Sequence, residues 1–190
     1  NNASDLMDLG YTPEEIIEYL VENDAQGNPS IRQYGVVDLV DEGRSAAFTG
    51  ENCYDYKDHI LGPTYSIQGN ILLGQEVLDS METNFLNTSG SLATRLMAAM
   101  QGAKIPGADT RCLSNGISSL SAFIRVAKPT NSEDSLYLHL NVNNTQPGID
   151  PIDTLQDLFD DWYAGNPDLV TIQIDFNEGW NLVGLPAYID

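Results

Sequence analysis

Apolar positions recur at two spacings along this chain, and the switches between the two mark out its elements. Between residues 12 and 22 the spacing is helical, with Ile16, Ile17, Leu20 and Val21 on one face. Thr12 stands where an N-cap belongs, Pro13 takes the first helical position, and Glu15 falls three residues after the cap, which predicts a capping box. Ahead of it, Leu6, Met7 and Leu9 read as the end of a helix that Gly10 stops. Residues 35–40 and 44–48 are β-prone and flank Asp41-Glu42-Gly43, so they predict a hairpin. Residues 51–61 show no periodicity and read as a crossing loop, and a strand over 65–73 follows, closed by Gly74. Helical spacing returns over 75–86 (Val77, Leu78, Met81, Phe85) and 91–101 (Leu92, Leu96, Met97, Met100), with Ser89 or Ser91 as cap of the second helix. After a polar loop over 102–116, residues 118–126 and 136–142 alternate as two strands joined by the turn 128–135. A last helix over 152–163 places Leu155, Leu158, Phe159 and Trp162 on one side, and Gly165-Asn166-Pro167 ends it.

Residues 169–190 change character. The run 170–176 alternates strictly and 179–186 continues as a second strand, with Trp180 as its core residue. Two strands bury no core alone, so this tail must pair with the rest of the chain or with other sequence. The organisation read from the pattern is therefore a domain over 1–168 and a β-hairpin tail, or the start of a following module, over 169–190.

One strand breaks its own pattern. The β-rich run from Tyr65 to Leu73 is interrupted by Gln68-Gly69-Asn70, and an amide, a glycine and an amide are a poor filling for a core. Two readings fit: a polar binding edge inside a sheet, or a β-bulge whose amides satisfy loop backbone.

Charge narrows the partners. With 28 acidic and 8 basic residues the formal net charge is −20, a field that repels nucleic acid and anionic membrane surfaces. No apolar run is long enough for a membrane-spanning helix. Hydrophobic residues make up 42% of the chain, which places it among globular proteins and not disordered ones. Cys53 and Cys112 form no Cys-x-x-Cys motif; a disulfide between them, or with a cysteine elsewhere, points to an extracytoplasmic address. The chain opens on Asn1 without an initiator Met, which reads as a processed or trimmed start, so the lack of a signal peptide carries no weight.

Taken in order, Gly35-Val36-Val37-Asp38, Gly43-Arg44-Ser45-Ala46-Ala47-Phe48-Thr49-Gly50, Tyr65-Ser66-Ile67-Gln68-Gly69-Asn70-Ile71-Leu72 and Asp109-x-Arg111 ahead of 118–126 resemble one family, domain of unknown function 1028. The resemblance covers roughly residues 4–163, and it implies the α+β fold of the N-terminal nucleophile (Ntn) hydrolases: an αββα sandwich, here incomplete at the N-terminus. The residues around Gly179-Trp180-Asn181-Leu182 resemble instead the start of a secreted β-sandwich module. Family members begin with further strands, the first of which would carry a terminal Thr, Ser or Cys nucleophile. In that mechanism the free α-amine is the base for its own side chain, so position at the terminus is itself the chemistry. Asn1 has neither hydroxyl nor thiol and Ser4 is not terminal, so this chain holds no nucleophile of that kind. The expectation is a missing N-terminal segment, or another polypeptide, that completes the sheet, and with it an oligomer or assembly.

Within that frame Gln68 and Asn70 are the candidates for binding a substrate amide or forming an oxyanion hole. Asp109 and Arg111 are candidates for clamping a polar substrate or ordering the nucleophile's amine, with a loop salt bridge as the alternative. Arg44, one of few cations here, calls for a carboxylate partner. His59 reads as a surface polar group, with a ligand or a base as the alternative. Triads, Walker loops, dinucleotide fingerprints and zinc spacings are absent from the sequence. Asp41-Glu42 and Asp160-Asp161 lack the alternating ligand spacing of a calcium loop, so no cofactor is expected, calcium remaining the one conceivable metal. Two functions follow: part of a secreted or cell-surface amidohydrolase acting on a small amide or peptide bond, or a non-catalytic structural or adhesive module, able to assemble by strand exchange through the tail.

Overall fold

The computed structural model describes residues 2–131 and 135–168, and six strands and five α-helices alternate through them. Helix α1 (Asn2–Asp8) ends as expected at Gly10, whose φ of +84° lies in the left-handed region that glycine adopts freely. Helix α2 (Pro13–Glu22) begins at the capping box: Glu15 N donates to Thr12 Oγ1 at 3.2 Å, and Thr12 N donates to Glu15 Oε2 at 2.8 Å. The buried side chains of Ile16 and Ile17 then pack on Val36 and Ala46.

Those two residues belong to the predicted hairpin, β1 (Gln33–Asp38) and β2 (Arg44–Thr49), antiparallel with Gly35 opposite Ala47. Its turn runs through Asp41, Glu42 and Gly43, all at positive φ, and a Cβ on Gly43 would fall 2.5 Å from the Pro63 carbonyl oxygen. Glycine is required there twice over, for its φ and for the close approach. The pairing also brings Arg44 onto Asp38, with Nη2 2.5 Å from Oδ2.

The reading of 51–61 as a loop is corrected at its end. Residues Asp58–Gly62 form strand β3, paired antiparallel with β4 (Tyr65–Gly69) so that His59 lies opposite Gln68. No alternation announces β3, because its face toward β1–β2 is polar and held by hydrogen bonds: Thr49 Oγ1 lies 3.0 Å from His59 Nδ1, and Ser45 Oγ donates to Gly62 O at 2.7 Å. Strand β4 is also shorter than predicted. It stops at Gly69 because Ile71 takes φ +62° and turns the chain, after which Leu72 makes an isolated antiparallel bridge with Asp109.

The two hairpins stack, with small residues between them; a Cβ on Gly35 would meet Gln68 Oε1 at 2.3 Å. Helix α2 covers β1–β2 from outside. Helix α3 (Gln75–Asn87) covers the other hairpin, where the Tyr65 and Phe85 rings meet edge to face at 5.4 Å and Tyr65 donates to Glu82 Oε1 at 2.6 Å. The carboxylate holds the Tyr65 phenol protonated and pushes its pKa up to about 12. Helix α4 (Leu92–Gly102), capped by Ser91, crosses α3 at Gly102, where a Cβ would come within 2.4 Å of Ser80 O.

A second core lies beyond α4. Strands β5 (Ala122–Val126) and β6 (Leu138–Val142) pair antiparallel and bury Ile124 and Leu138 against Met97 of α4 and Leu155 and Phe159 of α5 (Pro151–Gly165). Strand β5 starts four residues later than predicted, because Ser118 is committed elsewhere: its N–H and hydroxyl both donate to Asp150, at 2.6 and 2.9 Å. Asp150 also caps α5, accepting from Ile152 N at 2.9 Å. Leu158, expected on the apolar side, is 38% exposed. The predicted strands of the tail and Trp180 lie outside the described residues. The fold is thus α+β with small antiparallel sheets.

Candidate functional site

Strand β4 has β3 along one edge and, among the described residues, no strand along the other. The same holds for β5, whose described partner is β6. Two hollows lie beside β4. The larger, about 500 Å³, is walled by Tyr65 and Ile67 and floored by Met81, Phe85 and Leu96 of α3 and α4. The smaller, about 240 Å³, runs from Gln68 and Leu72 to Asp109 and to the serines leading into β5, over Leu78 and Met81.

This second hollow brings together two of the residues singled out by sequence. The exposed carboxamide of Gln68 accepts from Ser66 Oγ at 2.9 Å, and its Nε2 has no acceptor among the described residues. A neutral donor of that kind can meet developing negative charge without itself titrating. Asp109 enters the cleft from the opposite wall, positioned by backbone bonds from Asp109 N to Ser118 O (2.9 Å) and from Leu73 N to Ala108 O (3.0 Å). Its carboxylate starts a 3-10 turn, Thr110–Asn115, by accepting from Arg111 N at 3.0 Å, and it also takes the Arg111 guanidinium through Nε at 2.9 Å and Nη2 at 2.6 Å. The guanidinium holds the Asp109 carboxyl below the usual carboxylate range. Arg111 itself is 69% exposed, so solvent screens the pair and its contribution to stability is small.

Asn70 is not part of this cleft. Its Nδ2 donates to Gln33 Oε1 at 3.0 Å, and Gln33 Nε2 in turn reaches Thr49 Oγ1 and Gly69 O, each at 3.0 Å. The two amides therefore divide the readings made for them: Gln68 is a cleft residue, while Asn70 laces the hairpins together. His59 ends this lacing through Thr49.

Cys53 and Cys112 do not pair with each other: both are free and buried in this chain. Cys53 Sγ donates to Arg32 O at 3.5 Å, while Cys112 sits in the turn beside Asp109, where burial pushes its thiol pKa up. A thiol so raised is a weak nucleophile. Among the described residues no group of three or more His, Cys, Asp or Glu gathers as a metal site would need.

Sequence reasoning missed Ser119 and Ser121 on the cleft wall and the Ser118–Asp150 clasp behind it. Isolated serines in a polar stretch carry no spacing to find them by, but Asp150-Pro151 is a readable helix start, an N-cap followed by proline.

A crystal structure of a Silicibacter pomeroyi protein matches with a TM-score of 0.66 at 23% identity, over 85% of this chain and 65% of that one. The chain thus spans about two thirds of that protein's length, and the likeness is one of fold. That protein is itself assigned to DUF1028. No curated protein matches the chain. A family model matches residues 1–155, taking in both hairpins, the cleft and the start of α5, and on that match this chain belongs to the family of unknown function DUF1028.

Proposed function

We propose that this chain is the larger part of an Ntn-type amidohydrolase, and that a strand bearing a terminal Thr, Ser or Cys completes its cleft, supplied by an N-terminal segment or by a processed partner. The observation that carries the reading is the edge of β4 that no described strand occupies, beside an apolar floor, with Gln68 and Asp109 at one end of it. A strand edge over apolar side chains takes up another strand through ordinary ladder bonds. A nucleophile delivered there has the two groups it needs. Its free amine takes the proton from its own hydroxyl or thiol as the oxygen or sulfur attacks the substrate carbonyl carbon. Gln68 Nε2 then donates to the resulting oxyanion, Asp109 orients the ammonium, the amine product leaves with that proton, and water releases the acyl group.

The test is amine release from small amides and dipeptides by the protein as isolated from its source, beside a Gln68→Ala variant. Turnover that falls about 10²-fold or more in the variant, at unchanged melting temperature, supports the reading. An absence of turnover, or turnover indifferent to Gln68, overturns it. The use of Asn70 within the hairpins favours a second reading, a non-catalytic structural module that has kept the sheet. The residue that begins the completing strand separates the two.

A further inference from the structure

We propose that a hollow of about 660 Å³ between residues 115–120 and 143–148 binds a neutral saccharide of one or two rings. The inference does not rest on the amidohydrolase reading, because the hollow and the cleft share no lining residue. The segment 117–121 serves both, with Ile117 and Leu120 toward the hollow and Ser118, Ser119 and Ser121 toward the cleft.

Three properties define the ligand. First, every residue lining the hollow is uncharged, in a chain whose net charge is −20. An anion is repelled by the field of the whole molecule, and a cation finds no carboxylate in the lining. Second, Asn115, Asn144 and Gln146 line it with carboxamides. Each offers both a donor and an acceptor, which matches a hydroxyl, itself both donor and acceptor. Third, Leu120, 63% exposed, and Pro147 give an apolar surface among these amides. A pyranose ring has this same division, with a C–H face for the apolar surface and a rim of hydroxyls for the amides. Small-molecule sites commonly join an apolar surface to a few placed polar groups in this way, in a volume of roughly 300–1,000 Å³.

The walls are held before any ligand arrives. Ser118, 1% exposed, binds the first wall to Asp150 at the foot of the second. The second wall is closed on itself by Thr145 Oγ1 donating to Ile149 O and Ile149 N donating to Gln146 O at 3.0 Å. Fixed walls lower the ordering cost of binding.

The test uses the full chain with cellobiose and maltose as probes, and glucuronic acid and triglycine as comparators, followed by saturation-transfer NMR and calorimetry. At least one disaccharide is expected to bind with Kd in the range of about 0.1–5 mM, with glucuronic acid and triglycine at least about tenfold weaker. Asn144→Ala, which removes one donor–acceptor pair from the lining, and Leu120→Ser, which removes the apolar surface, are each expected to weaken binding about tenfold or more. Both positions are exposed, so melting temperature serves as a control for folding. Lack of binding by both disaccharides at about 20 mM overturns the proposal, as does equal binding of triglycine or glucuronic acid, or affinity unchanged in both variants.

Discussion

Replacing Asp150 by alanine removes one carboxylate that holds three donors, and the cost can be worked from its surroundings. Ile152 N loses its cap at the start of α5, and loss of an N-cap costs about 1 kcal/mol. Ser118, 1% exposed, loses the acceptor for its N–H and hydroxyl; the hydroxyl can turn to another partner, but the amide is left buried without one, at about 1–3 kcal/mol. The sum is about 2–4 kcal/mol, and at about 2–4 °C per kcal/mol for a domain of this size the melting temperature falls by roughly 5–15 °C. Ser118→Ala removes the hydroxyl bond alone and is expected to cost about 1 kcal/mol. Asp150→Asn keeps an acceptor for Ile152 but can present an NH₂ to Ser118 N–H, so it falls between the two. Thermal melts of the three variants, followed by circular dichroism, give the order. A drop below about 2 °C for Asp150→Ala would show that the clasp does not hold these loops, and would refute the reasoning that fixes one wall of both the cleft and the hollow.

Gly35→Ala and Gly102→Ala give a contrast. A Cβ at Gly35 meets the ends of Gln68 and Ser66, side-chain atoms that can rotate aside, so stability changes by about 1 kcal/mol while amide turnover falls with the displaced carboxamide. A Cβ at Gly102 meets the backbone of Ser80, which cannot move aside, so the helix crossing opens at about 1–3 kcal/mol despite the better helix propensity of alanine; thermal melts and the amide assay separate the two cases. The raised Tyr65 pKa has a defined sign: the folded state holds this proton more tightly than the unfolded state. The corresponding stability is complete below about pH 10 and is lost as pH rises toward about 12. Tyr65→Phe is expected to flatten that alkaline decline in melts between about pH 9 and 12, and an unchanged decline would contradict it. At the acid end, Asp24 accepts from Asn28 N and Arg32, which hold its carboxyl far below the usual range, so the stability it contributes is present above that range and lost as pH falls; Asp24→Asn is expected to make the acid transition shallower.

What was legible in the sequence follows from what makes each element. Helix α2 is spelled out by Thr12, Pro13 and Glu15, because a cap is a local contract among neighbouring residues. The β1–β2 hairpin is announced by its turn, since only a few residues accept three successive positive φ angles ending at Gly43. Strand β3 escaped because its inward face bonds to the facing hairpin instead of burying carbon, so His59 and Asp58 look like loop residues. For the same reason Gln68 and Asn70 could be recognised together as unusual but not told apart. Their separation depends on the turn at Ile71 and on Gln33, 37 residues away from Asn70. The cleft itself is a relation between β4 and the 118–121 segment, and no local spacing encodes it.

The central claim, that β4 receives a strand carrying the nucleophile, is tested most directly by N-terminal sequencing and intact mass of the protein isolated from its source. The account predicts a free terminal Thr, Ser or Cys at the head of a β-prone segment, either continuous with this chain or travelling with it as a second fragment. A blocked terminus, or any other residue at the head of that segment, would contradict it.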